Sequence, residues 1–475
     1  MRRAGLSVCA VVFFLAGAWL SSFAEQAAST APPPVVTLEE CVDAAKSAAP
    51  GLKVAGITLD SARAVLLQTQ AVNGLSLGGT GSYFHQGVVP GTAAAFVSSA
   101  GSTQGINGEN ILGTLSLAGP STSLDLTAQH GIGEDGAISQ ESLFILSGSQ
   151  TVFDGYPGSR AAANVKVAGY TYKTAQVTYD SSLKSLLYQV KQAYYTLLAD
   201  QNTVRVRQAT VAQANENVVY MQGLFDVQRA TKLDVLQVQV TLNQAQLDLR
   251  TAENTVETDR KRLSLTIGWP LDKQYQGAEN AAPEPPALDS EAALKTAFEN
   301  RSELRTLELS RASANVSLML YRSEYSPVVS LSGSLDFGQN WTTNSNAGSF
   351  TAGVKVALPP LYDGGQRSAL LKQASDQIAS LAVQEDQQRQ SIAIDVANAL
   401  FGVKDAQDRL DLARLNVEQA QGQYDLTRAK LAEGLETTLD LITAFSVLTT
   451  AQVGRVQAES NYALAILNLN SVMGL

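Results

Sequence analysis

Two long stretches of the chain carry apolar residues at alternating spacings of three and four. In the first, Leu183, Leu187, Val190, Tyr194 and Leu197 lead to Val204, Val211, Val218 and Phe225, with Gln201, Gln208, Asn215 and Gln222 in the alternate seam positions. In the second, Ile392, Val396, Ala399, Val403, Ala406, Leu410, Ala413, Val417, Ala420, Tyr424, Thr427 and Leu431 keep the same rhythm. This spacing puts a narrow stripe on one helix face. Sustained this far, it predicts coiled-coil helices much longer than the usual run of about 11 or 12 residues. Proline is absent between Pro157 and Pro270 and again after Pro360. Inside a helix each proline would cost about 3 kcal/mol. The predicted helices are 158–227 and 232–267, then 365–432 and 437–473, with turns at Asp226–Lys232 and Ala432–Thr438. Alanine and glutamine in the seams suit helices curved around a wet space better than a dry zipper.

A period of two marks other segments. Val329, Leu331, Leu335 and Phe337 alternate with Ser330, Ser332, Ser334 and Asp336, and Phe350, Ala352, Val354, Val356 and Leu358 alternate with Thr351, Gly353, Lys355 and Ala357. Strands are expected near 328–338 and 350–358, and in the first half near 75–84 and 142–152. Strands of about ten residues with one apolar face fit an outer-membrane barrel wall, or else a half-buried soluble hairpin. Between the first pair lies an enlarged Gly/Ser/Thr-rich loop, 85–141, with His85, His130 and a second alternation at Leu115, Leu117, Leu124 and Leu126. The pattern leaves open whether this extra hairpin extends the wall.

The two halves are copies. At a constant spacing of 206 residues, Val190, Leu197, Val204, Val211, Val218 and Phe225 fall on Val396, Val403, Leu410, Val417, Tyr424 and Leu431. The register runs on through Leu233-Asp234-Val235 and Leu439-Asp440-Leu441 to Gly268 and Gly474. Phe153-Asp154-Gly155 answers Tyr362-Asp363-Gly364, and Leu52 answers Leu304. An internal duplication follows. The organisation read from it is a signal peptide at 1–24 and an extended lead-in at 25–36. A first repeat at 37–270, a linker at 271–287 and a second repeat at 288–475 complete it.

The leader rests on Arg2 and Arg3, the apolar run Leu6–Leu20, and small residues at Ser22 and Ala24. Its removal takes two positive charges from a formal −10 and leaves −12. It also removes Cys9, so Cys41 remains as a single thiol without an intrachain disulfide. With Lys+Arg 34 against Asp+Glu 44, the chain lacks the basic face that nucleic acid requires. An enzyme is also disfavoured. Gly131-Ile132-Gly133-Glu134-Asp135-Gly136 matches a dinucleotide-binding spacing, but no helix follows and two acids occupy the pyrophosphate position. Glu134, Asp135 and Glu141 read as a solvated acidic loop in preference to a weak calcium site, and no cofactor is expected.

Two hairpins supply four wall strands, whereas membrane barrels need at least about eight, and lipid does not tolerate open sheet edges. The chain must therefore close with copies of itself, and three copies give twelve strands. The helical hairpins would then form a second cylinder below the barrel. The rival architecture is a secreted rod or periplasmic adaptor without a pore. An adaptor, however, carries one hairpin flanked by small β-domains, not a repeated unit.

The doubled plan resembles the TolC-like outer-membrane efflux proteins. So do the Phe-Asp-Gly and Tyr-Asp-Gly-Gly leads into the long helices, the Leu-Asp-Val-Leu and Leu-Asp-Leu-Ile after the turns, and the closing Leu-Asn-Ser-Val-Met-Gly-Leu. The resemblance covers about 37–475. It implies a homotrimer, a twelve-stranded barrel in outer-membrane lipid and a periplasmic α-helical tunnel. It also implies docking to a periplasmic adaptor and an inner-membrane pump, in tripartite efflux or type I secretion.

The candidate site is the pair of turns opposite the strands. Three Asp440 carboxylates on an axis would make a cation-attracting ring, and Asp234 holds the same place in the first repeat. The other reading is that each Asp simply begins a helix. In the family the mouth is held by a basic residue and a tyrosine of the second turn linked to an acid of the first. Asp234 matches that acid, but Glu436 stands at the basic position and Leu431 at the tyrosine, and Thr443 replaces a second constricting acid. A lock of exchanged polarity is expected instead, with Arg229 or Lys232 facing Glu433 or Glu436. The adaptor is expected at the same turns, around Gln228 and at Gly434 and Leu435, with glycine retained only in the second.

Overall fold

A computed structural model describes residues 34–86, 108–133, 141–278, 289–341, 343–360 and 362–475. The leader, the lead-in before residue 34, loop segments 87–107 and 134–140 with Glu134 and Asp135, and linker residues 279–288 lie outside it. In chain order the elements begin β1 (Val35–Val36), α1 (Leu38–Ala48), α2 (Pro50–Val72), β2 (Ser76–Gln86), β3 (Gly108–Ala118), β4 (Thr122–Gly133) and β5 (Glu141–Phe153). The long helices α3 (Arg160–Asp226) and α4 (Lys232–Ile267) follow, then β6 (Gln276–Gly277). The second half holds α5 (Ser290–Asn300), α6 (Ser302–Glu324), β7 (Val328–Asn340), β8 (Ser345–Ala357), α7 (Gln366–Glu433) and α8 (Thr438–Val472).

The duplication is plain in the lengths. α1 and α2 have 11 and 23 residues, as do α5 and α6, and α3 and α7 have 67 and 68. A 67-residue helix rises about 100 Å. α2, α3, α6 and α7 lie side by side in that order, while α4 pairs with α3 and α8 with both α7 and α3.

Midway along the long helices sits a packed belt. Cys41 and Ala45 of α1 meet Val190, Tyr194 and Leu197 of α3, Leu263 and Ile267 of α4, and Tyr275. The Tyr194 hydroxyl lies within hydrogen-bond distance of the Val36 and Ala278 carbonyls, 3.1 and 2.9 Å away, and so holds the parallel β1–β6 pair against α3. In the second repeat Ala293, Ala297 and Leu304 pack on Ile392, Val396 and Val403.

At the other end is one antiparallel sheet of six strands, ordered β2-β3-β4-β5-β7-β8. The duplicated helix–strand pair–hairpin unit is present, but the strand count per chain is corrected. The segment between β2 and β5 contributes β3 and β4 to the same sheet, so among the described residues the sheet has six strands where two hairpins supply four. The physical reason is the alternation at Leu115, Leu117, Leu124 and Leu126. It matches the apolar face of the neighbouring strands in register and so lets the hairpin pair edge to edge with both. No helix among the described residues is long and apolar enough to cross a membrane.

Candidate functional site

Both long helices stop in the same way. At the end of α3 the Gln228 amide donates to Phe225 O at 2.9 Å and the Arg229 amide to Leu224 O at 2.8 Å. At the end of α7 the Gly434 amide donates to Leu431 O at 3.0 Å and the Leu435 amide to Lys430 O at 2.9 Å. Each turn therefore needs a left-handed residue at the same place. Gly434 takes φ 80° there and Gln228 takes φ 57°. Glycine does so without steric cost, whereas the glutamine Cβ is crowded. The two turns thus share a backbone shape despite the different residue, and around Gly434 the Cβ direction is open space.

The following helices begin in the same way too. Asp234 Oδ2 accepts from the Thr231 amide at 2.8 Å and hydroxyl at 2.6 Å, and the Asp234 amide donates back to Thr231 Oγ1 at 3.3 Å. Asp440 Oδ2 accepts from Thr437 at 2.9 and 2.6 Å, with the return bond at 3.2 Å. These are reciprocal capping boxes. The threonine hydroxyl and amide hold both carboxyls below the usual carboxylate range, and for Asp234 the Thr438 hydroxyl at the start of α8 acts in the same direction. The helix-start role is therefore built for both acids, and it keeps both ionised. Asp440 stays exposed, whereas Asp234 is half-buried.

The charged residues expected to form a lock are placed as follows. Arg229, Lys232 and Glu433 are exposed. Glu436 is half-buried, and its Oε1 lies 3.3 Å from Lys430 Nζ. Among the described residues, then, Glu436 pairs within its own turn, and the expected exchange of Arg229 or Lys232 against Glu436 does not form inside one chain. Lys430 escaped the sequence reading because its partner lies six residues on, across a turn whose fold brings the two together. Thr443 bonds its own helix, Oγ1 to Leu439 O at 2.8 Å.

Behind the turns lies a core that joins the repeats. Ala214, Leu242, Ala245, Ala420, Tyr424, Leu441, Phe445 and Leu448 pack together. The Tyr424 hydroxyl donates to Asn217 Oδ1 at 2.8 Å, and the Thr438 hydroxyl to Met221 Sδ at 3.8 Å. Asn217 was not among the seam positions read from the sequence. A tyrosine where the aligned residue is valine was the available signal. Outside this core, Val227, Leu233, Leu435 and Leu439 are exposed beside the turns.

Comparison with known proteins fits this arrangement. The chain matches the outer membrane efflux protein family over residues 41–269 and 293–475. It is 23% identical over 360 residues to outer membrane protein TolC of Vibrio cholerae, spanning 74% of this chain and 81% of that one. To the alkaline protease secretion protein AprF of Pseudomonas aeruginosa it is 23% identical over 336 residues, 70% of this chain and 69% of the other. Its fold resembles the crystal structure of the outer membrane protein VceC from Vibrio cholerae, with a TM-score of 0.69 at 16% identity over 92% of this chain and 96% of that one. The family match runs through both repeats, from the belt helices and the membrane sheet to the paired turns. The chain belongs to the outer membrane efflux protein family, as an outer-membrane channel continued by a periplasmic helical tunnel.

Proposed function

We propose that three copies of the chain form one conduit, and that the paired turns are at once its periplasmic gate and its docking surface for an adaptor. The observation that carries this reading is the pairing of opposite ends. One end presents an open-edged sheet with an apolar face, and the other presents two turns of one backbone shape, each followed by an ionised aspartate. Copies of the chain would satisfy the open edges of β2 and β8. Self-association is also supported by apolar side chains left bare on α7, among them Val383, Ile394 and Phe401, and on α2, among them Val54, Ile57 and Val65.

In such a trimer the exposed Asp440 carboxylates would gather at the mouth, with Asp234 behind them, and draw cations while repelling anions. Arg229 and Lys232 of the first turn are exposed toward solvent, as is Glu433 of the second. We assign these three to a lock between turns, with Lys430 and Glu436 stiffening the second turn from within. Exposed pairs contribute only about 0–1 kcal/mol each, which suits a gate that a bound partner opens. Gln228, Gly434 and Leu435 form the docking surface for the adaptor, which links the tunnel to an inner-membrane pump. The reading assigns transport, and no catalysis, to the chain.

The deciding experiment is the detergent-subtracted mass of the membrane-extracted protein. Three chain masses per particle is the expected result. A monomer that stays soluble without detergent would remove the conduit and leave a secreted rod.

A further inference from the structure

Building on the trimeric channel just described, we infer that the outer-membrane wall of this protein has eighteen strands, six from each copy, and opens as wide as its helical tunnel. Six strands follow one another in the chain's sheet, each paired with the next and with one irregularity between Thr151 and Phe153, and the inserted hairpin stands between β2 and β5. Its height matches the wall. β3 and β4 have 11 and 12 residues against 11 to 13 in the other four strands, enough to cross a bilayer at a barrel's tilt.

The lower tip of the hairpin ends level with its neighbours. The Thr151 amide at the foot of β5 donates to Ser121 O at 2.6 Å, and Gly119 packs near the Leu75 side chain at the foot of β2.

The decisive feature is that positions on one face of all six strands line up in continuous rows, apolar or glycine throughout. One row runs Gly79, Leu115, Leu126, Leu146, Leu335, Phe350, and the row below it Leu77, Leu117, Leu124, Gly148, Gly333, Ala352. Leu115, Leu124 and Leu126 on the inserted hairpin are 44 to 49% exposed, comparable with Leu331, Leu335 and Phe337 of the duplicated strands. The opposite face is mostly polar, with Leu112, Leu143 and Ile145 among its apolar positions. Thr114 meets Thr127 at 3.4 Å, Ser123 meets Ser149 at 2.9 Å, and Ser349 donates to Asp336 at 2.9 Å. A hairpin lying in water above the membrane would gain nothing from an apolar row in register with a lipid-facing one.

The strand number also closes. With six antiparallel strands β2 and β8 run in opposite directions, so β8 of one copy can pair antiparallel with β2 of the next. At a strand spacing of about 4.8 Å and a tilt of about 40°, eighteen strands span roughly 113 Å of circumference and twelve only about 75 Å. Four side-by-side helices per copy, spaced about 8–10 Å, give a tunnel of about 95–120 Å. The larger barrel therefore matches its tunnel. The outer membrane imposes no constriction on bulky cargo, and control of passage falls to the paired turns.

Cysteine accessibility tests this in the full-length protein in outer-membrane vesicles, because Cys41 is fully buried and contributes little background. Leu115→Cys and Leu126→Cys should react with a membrane-impermeant maleimide roughly tenfold or more slowly than Thr114→Cys and Thr127→Cys, since a thiol facing hydrocarbon does not ionise. Leu335→Cys and Ser334→Cys on β7 serve as controls. If 115 and 126 label as fast as 114 and 127 while 335 stays protected, the hairpin lies outside the wall and the inference fails alone. If 335 also labels freely, the membrane channel itself is wrong. The Ser123→Cys/Ser149→Cys double variant should form an intrachain disulfide, and a particle mass other than three chains would overturn the count of eighteen.

Discussion

Tyr424 of α7 donates a 2.8 Å hydrogen bond to Asn217 of α3, and both residues are buried where the two helical hairpins meet. The bond ties one repeat to the other a short way behind the paired turns. Tyr424→Phe should cost about 1–3 kcal/mol, because it strands the Asn217 amide without its partner. Detergent-stable denaturation midpoints measure this. The double variant Tyr424→Phe/Asn217→Leu should recover part of the loss.

Gln228 bears a strain that Gly434 avoids at the equivalent turn. Gln228→Gly should stabilise the α3–α4 turn by up to about 1 kcal/mol, the relief of left-handed strain less glycine's extra freedom when unfolded. Gly434→Gln should destabilise by a similar amount. Hydrogen exchange at the amides of 224–231 and 430–437 would report both.

Asp440 carries the expected selectivity of the mouth. Asp440→Asn should reduce cation over anion preference in planar-bilayer recordings, with little loss of trimer. The Thr437 bonds depress the carboxyl pKa, so its contribution to stability is present above the unfolded value near 4 and is lost as pH falls through the lower folded value. Selectivity should accordingly hold from neutral pH down to about pH 4 and decline below it. Thr437→Ala should cost about 1 kcal/mol through the lost cap.

Glu436 Oε1 lies 3.3 Å from Lys430 Nζ across the second turn. Glu436→Lys puts two cations together and should raise the open probability of the channel. The exchanged pair Lys430→Glu/Glu436→Lys should restore it. Unchanged conductance in Glu436→Lys would remove this pair from the gate.

Asp200 sits in the belt with Oδ2 buried and unpartnered, beside the Asp259 carboxylate that takes Arg262 at 3.0 Å. Burial, and then the neighbouring acid, push its pKa well up. The folded state thus holds a proton that the unfolded state has released, and stability falls as pH rises from about 4 toward the folded pKa. Asp200→Asn should stabilise the protein near neutral pH, and the gain should shrink on acidification. Midpoints compared at pH 7.5 and pH 4.5 decide it.

How much of this was legible beforehand varies by element. The three-and-four spacing from Leu183 to Phe225 and from Ile392 to Leu431 depends only on neighbours along one helix, so it reveals the long helices directly. The spacing of 206 that carries Val190 onto Val396 likewise reveals the duplication, because equal folds need equal patterns. That Asp234 and Asp440 each begin a helix was readable for the same local reason. Lys430 with Glu436 and Asn217 with Tyr424 were not, since those pairs form only after a chain reversal or between two helices far apart in sequence.

The sequence by itself determined the duplicated helical architecture, the apolar and polar faces of each strand, and the turns that end each hairpin. These follow from period, propensity and capping within a few residues. Only the tertiary structure decided that β3 and β4 stand between β2 and β5, that Glu436 turns to Lys430, and that Gln228 takes the shape of Gly434. Alternation states which face of a strand is apolar but not which strand lies beside it. Strand neighbours are chosen by hydrogen-bond edges that every strand offers alike, and that choice is made across the whole sheet.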